Sequence, residues 1–240
     1  MNGAGLLARS EELAEDFKGA LGPELASLSL HGLETPLFWP AHCLAVIKPL
    51  STLHRAHGAV AKWRRRGLEP PLFLTGPEVA RLPHAFPLEL LHFKLDTRQV
   101  VGDDLLASLE PDLRRLGEQC VRELHGKVVV LRRAYAMSVL PEEISALLAA
   151  SLPLYLAVFR GVALCERGVA PLDAPGVLSA AGRSLPLNAG LWRTLVETAT
   201  GPAKGAAKGT AKKTQRELHE LLADYVAEAE RLAQAAENIT

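Results

Sequence analysis

The residues able to do chemistry are few and scattered. His31, His42 and His92 fall on segments that adjoin one loop, where imidazoles could bind zinc or move protons. The plainer reading is three partly buried, hydrogen-bonding histidines. His54 and His57 stand at helical spacing, but no third ligand accompanies them, so they read as polar filler. Cys43, Cys120 and Cys165 are odd in number, far apart and set among apolar residues, with no C-x-x-C. Buried thiols in a reducing compartment account for them better than disulfides or a zinc site. Lys204, Lys208, Lys212 and Lys213, with Arg64 to Arg66, could touch nucleic acid. However, Lys plus Arg equals Asp plus Glu at 27 each, and aromatics are only 5% of the chain, so no basic face with stacking platforms is expected.

The elements that must position these groups begin with a helix over residues 6–21, apolar at Leu6, Leu7, Leu13, Phe17 and Leu21, with a local cap at Ser10 and a stop at Gly22-Pro23. Alternation over 25–31 predicts a strand, and Gly32 marks a turn. A proline-marked loop follows, and then a second strand over 43–47, too apolar to be other than buried. From Ser51 the pattern is helical, with Leu53, His57, Val60, Ala61 and Trp63 inward and Arg64-Arg65-Arg66-Gly67 closing it. Late arginines and a glycine just past them are ordinary C-terminal chemistry and need no phosphate. Residues 70–74 predict a third strand, Thr75-Gly76-Pro77-Glu78 a capping box, 86–95 a fourth strand and 98–101 a fifth.

After Asp103-Asp104 the pattern becomes helical. Leu113, Leu116, Cys120, Leu124, Val128 and Leu131 describe one face of a long helix to about Met137. A second helix opens at Pro141 and is apolar nearly all round over 144–165, which makes it the centre of a bundle. Helices are expected at 177–183, 189–200 and 214–237, with a Gly/Ala/Lys loop at 201–213 that cannot bury apolar surface. The expectation is a small α/β (α+β) mixed-sheet domain over residues 1–105 followed by an all-α helical bundle over 106–240. The bundle would offer a packing surface for a protein partner or a homodimer. Pro153 and Arg160 interrupt the longest apolar run, below the roughly 18–20 residues of a membrane span. The first residues lack a basic region followed by an apolar core. No membrane partner is expected, and the chain reads as cytoplasmic.

FPLELLHFKLDTRQVVGDD, followed by LRRLGEQCVRELHGKVVVLRRAY, resembles a group of bacterial nucleotidyltransferase-like proteins, relatives of the kanamycin and minimal nucleotidyltransferases. WRRRGLEPPLFLT is similar to the segment preceding it there. The resemblance covers most of the first 140 residues and, more loosely, the bundle. It implies a glycine-serine turn for the triphosphate and two carboxylates one residue apart on the next strand, holding magnesium for phosphoryl transfer. Here Gly32 stays but Leu33 replaces the serine, and His42 and Leu44 occupy the two aspartate positions. A leucine cannot ligate magnesium, and a neutral imidazole is a poor substitute for a carboxylate. Shifting the register by one residue gives Cys43 and Ala45, which is no better. Glu89 could supply a remaining acid, but one acid cannot assemble a two-metal site.

The resemblance therefore implies a catalytically inactive nucleotidyltransferase-like protein acting as a ligand-binding or protein-interaction module, with no cofactor. Whether the cleft keeps a nucleotide is left open. The alternative is an active, magnesium-dependent transferase whose carboxylates have moved to Glu34, Glu89 or Asp96.

Overall fold

Leu25–His31 (β1), His42–Ile47 (β2), Leu72–Leu74 (β3) and Thr97–Val101 (β4) form one mixed sheet in the order β3-β2-β1-β4. β1 is antiparallel to both β2 and β4, and β2 is parallel to β3. The computed structural model describes residues 3–33, 42–200 and 214–237. Glu34 and the segment 201–213 with its four lysines lie outside them. The chain divides into two units, Met1–Asp112 around the sheet and Leu113–Thr240, which is helical.

Gly3–Leu7 (α1), Ser10–Leu21 (α2) and His57–Arg65 (α3) cover one sheet face. Leu13, Phe17 and Leu21 of α2 and Trp63 of α3 pack there against Leu28, Leu30, Cys43, Ala45 and Ile47. The single helix expected over 6–21 is two, broken at Ala8-Arg9, and Ser10 is the first residue of α2 rather than a cap. The helix expected from Ser51 opens as a 3₁₀ segment, Leu50–Ala56, and only then becomes α3. That change of winding turns Ala56, Ala59 and Trp63 inward and leaves His57 and Ala61 exposed. Polar contacts tie α3 to α2: Trp63 Nε1 donates to Asp16 at 2.8 Å, Lys62 pairs with Asp16 at 2.6 Å, and Arg66 pairs with Glu12 at 2.7 Å. Arg66 also lies over the Trp63 ring, which gives this arginine a structural role.

Gly76–Val79 (α4), Leu82–Ala85 (α5) and Pro87–Leu95 (α6) form a second layer on the opposite face. The Thr75 capping box is present, its amide and hydroxyl donating to Glu78 at 2.7 and 2.8 Å. The fourth strand expected over 86–95 is the helix α6. Proline at its first position suits a helix start, and Leu88, Leu90, Leu91, His92 and Phe93 are all buried, so alternation was no guide to a run enclosed on most sides. Glu89 accordingly sits in the first turn of a helix, not on a strand.

In the second unit Leu113–Met137 (α7) and Pro141–Arg167 (α8) form an antiparallel pair. Ala174–Ala181 (α9), Ala189–Thr200 (α10) and Gln215–Ala236 (α11) pack with them. α8 touches the other four. The expected inner face of α7 is buried from Leu116 to Leu131, while Leu113 is exposed. Tyr155 and Phe159 of α8 meet Trp192 and Tyr225 in an aromatic cluster with centroids 4.8 to 6.2 Å apart. Tyr225 donates to Ser151 Oγ at 3.2 Å, whereas the equally buried Tyr155 hydroxyl has no hydrogen-bond partner among the described residues. An unmet buried hydroxyl carries its full desolvation cost. Tyr155→Phe is expected to leave stability unchanged or raise it by about 1 kcal/mol, and Tyr225→Phe to lower it by about 1 kcal/mol, in urea unfolding followed by circular dichroism.

Candidate functional site

The alternation of β1 and β2 decides which side chains share the α6 side of the sheet. Cross-strand partners point the same way, so Ser27, Ser29 and His31 of β1 lie beside Val46, Leu44 and His42 of β2. β4 adds Thr97 beside His31 and Gln99 beside Ser29. All six residues of β2 are buried, and on β1 only Ala26 is partly exposed.

A row of hydrogen bonds runs along this face. Gln99 Nε2 donates to Ser27 Oγ at 2.9 Å. His31 lies between Ser29 Oγ, 2.8 Å from Nε2, and the Phe93 carbonyl, 3.0 Å from Nδ1. The tautomer that satisfies both carries its proton on Nδ1 and donates it to the carbonyl, while Nε2 accepts from the serine. Thr97 Oγ1 adds a second donor to the same carbonyl. The Phe93 ring packs on both histidines, 5.0 Å from His31 and 5.7 Å from His42, whose own rings are 5.4 Å apart.

Ser29 beside His31 has the reach of a nucleophile and its base. The dyad escaped sequence reasoning, although two residues of separation on a strand is the signal that would have shown it. Its setting opposes catalysis: Ser29 is 3% exposed and His31 1%. Burial, and then the neighbouring His42, push the His31 pKa down to about 3, so the ring is held neutral where no substrate reaches it.

The positions singled out by resemblance are closed as well. Leu44 is 1% exposed and packs with Val46, Leu82, Leu90 and Phe93 under α6. His42 stands at the edge of the same cluster against Phe93. Gly32 has a positive φ of 68°, which favours glycine, and Gly3 of α1 lies so close to the Leu33 carbonyl that no side chain fits between them. Cys43 faces the opposite core, and burial raises its thiol to about 12, far from a thiolate ligand or nucleophile.

The structure brings His31 and His42 together. His92 is buried on α6, one residue before Phe93, and among the described residues no three His, Cys, Asp or Glu side chains converge to hold a metal ion. Asp96 is half-buried, and its charge raises the His31 pKa by less than burial lowers it. Glu89 lies on α6, and Glu34 is outside the described residues. His54 bonds the Ser51 carbonyl at 2.8 Å on the surface, and His57 is exposed. No family model matches the chain, and no curated protein matches it.

Because the folded-state pKa of His31 is below its ordinary value of 6.5, the unfolded chain takes up the proton first as pH falls. The stabilising contribution is complete above pH 6.5 and is lost progressively toward pH 3. Unfolding free energy is expected to drop by a few kcal/mol across that window, with a slope approaching about 1.4 kcal/mol for each step of one in pH. His31→Gln should flatten that part of the profile, and a slope equal to wild type would show that another group titrates there. Ser29→Ala leaves Nε2 unmet and is expected to cost about 1–3 kcal/mol at pH 7.

Proposed function

We propose that the chain is a catalytically inactive nucleotidyltransferase-like protein that acts by binding other molecules. Its helical unit serves as the interaction module. One observation carries the reading: of the two positions where the resemblance implies carboxylates, Leu44 lies in a packed apolar layer beneath α6 and His42 is buried at its edge against the Phe93 ring. Phosphoryl transfer needs hard oxygen ligands for magnesium and an open face for a triphosphate. Leu44 can supply no ligand, and Phe93 and Leu90 occupy the space above it.

Between the two forms of this proposal, the same burial favours a protein-interaction role over a retained nucleotide. A nucleotide on this face would have to displace α6 and break the bond between His31 and the Phe93 carbonyl. The relocated-carboxylate alternative has no matching support, since Glu89 and Asp96 belong to α6 and its C-terminal end rather than to adjacent positions on one strand.

The test is transfer by the purified full chain with magnesium or manganese, labelled nucleoside triphosphates and a panel of protein and small-molecule acceptors. No transfer above background and no thermal protection by nucleotide are expected. Metal-dependent transfer abolished by Glu89→Gln or Asp96→Asn would establish the enzymatic alternative in its place.

A further inference from the structure

One long side of the α7–α8 pair carries apolar side chains into solvent. Val130 is 67% exposed, Met137 66%, Leu140 54% and Leu154 45%. Between the two helices runs an open groove of ≈ 320 Å³, with Glu123, Lys127 and Val130 on one wall and Leu147, Ser151 and Leu154 on the other. Steps of three, four and seven residues place these groups in one stripe on each helix. Single exposed apolar residues are ordinary, but paired stripes on adjacent helices mark an interaction surface.

The charges beside the stripes indicate what covers them. Glu123 and Lys127 pair with each other at 2.5 Å. Arg122 and Arg133 on α7 and Glu142 at the start of α8 are exposed and make no ion pair among the described residues. Arg133 and Glu142 lie near the same end of the pair, close to the short link between Met137 and Pro141.

We infer that this face is the interface of a homodimer whose two-fold axis runs parallel to the helix pair. α7 of each copy then lies on α8 of the other, and Arg133 faces the partner's Glu142. This arrangement keeps like ends together, so Val130 and Met137 meet the partner's Leu147 and Leu140 in a four-helix assembly. A two-fold axis across the helices would instead lay α7 antiparallel on its own copy. Arg122 and Arg133, which straddle Val130, would then oppose each other, and like charges at an interface are costly. A foreign apolar helix could cover the stripes, but a second copy supplies both the basic flank and the acidic one.

The inference rests on the interaction role proposed above, and sedimentation velocity of the full chain tests it. A species of twice 25.8 kDa is expected. Val130→Glu, at an exposed position, should give a monomer with unchanged circular dichroism, whose thermal transition no longer depends on protein concentration. Arg133→Glu and Glu142→Arg should each weaken association at least about tenfold. The two together should restore it, because each copy then presents both reversed charges. A wild-type monomer, whether or not its groove takes up a probe such as dodecanoate, overturns the inference. So does a Val130→Glu dimer, or a double variant as weak as the singles. Nucleotidyl transfer by a chain that still dimerises would overturn the functional reading alone, and a monomer without transfer this inference alone.

Discussion

Burial of His31 as a neutral imidazole is the condition on which the closed face of the sheet depends. A neutral ring has one donor and one acceptor, and here each meets its complement: the Phe93 carbonyl at 3.0 Å and the Ser29 hydroxyl at 2.8 Å. Those partners come from different elements, so the ring joins the C-terminal part of α6 to β1. Thr97 on β4 donates to the same carbonyl and draws the neighbouring strand into the contact. A protonated ring would carry charge into a site 1% exposed, which its surroundings resist.

That closure has a consequence for chemistry. A working phosphoryl-transfer face keeps polar groups unmet and accessible until substrate arrives. On this sheet Ser27, Ser29, His31, Thr97 and Gln99 meet one another or the backbone, while Leu44 and Val46 meet α6. The bonds that stabilise the layer are made by the groups a site would need free. The α7–α8 side of the helical unit differs from that face. The unit's C-terminal elements bury a complete aromatic cluster, yet the α7–α8 side leaves large apolar groups in water. On that sheet face the polar side chains are spent on one another, while along the α7–α8 side the apolar ones are not spent on a core.

Much of this was legible in the sequence, for physical reasons that also explain the rest. β1, α7 and α11 follow from periods of two or near 3.6, β2 from a continuous apolar run that no exposed strand would carry, and the Thr75 cap from its own hydrogen-bonding chemistry. The period of α6 is hidden because buried faces on most sides of a nine-residue helix erase it, and only Pro87 at the first turn marks the helix. That His42 and Leu44 carry no carboxylate is readable residue by residue. The cover over them was not, since it depends on α6 being a helix. The pairing of Ser29 with His31 lay in plain view as strand alternation, but its burial required the third dimension.

α8 is enclosed unevenly along its length. Its sequence is apolar nearly all round, and among the described residues no other helix is long and apolar enough to cross a membrane. Tyr155 to Ala163 are enclosed by their own unit, including Arg160, whose guanidinium donates to the carbonyls of Pro171 at 2.8 Å and Leu172 at 3.4 Å. An arginine bound in this way is committed to protein contacts, and 61% of the most apolar stretch is buried without any lipid. The N-terminal half differs: Ile144, Leu148 and Leu152 face inward, while Ala146, Ala149, Ala150 and Leu154 remain outside. One continuous apolar helix thus divides into a half enclosed on nearly every side and a half that buries one side and leaves small apolar residues and Leu154 on the other.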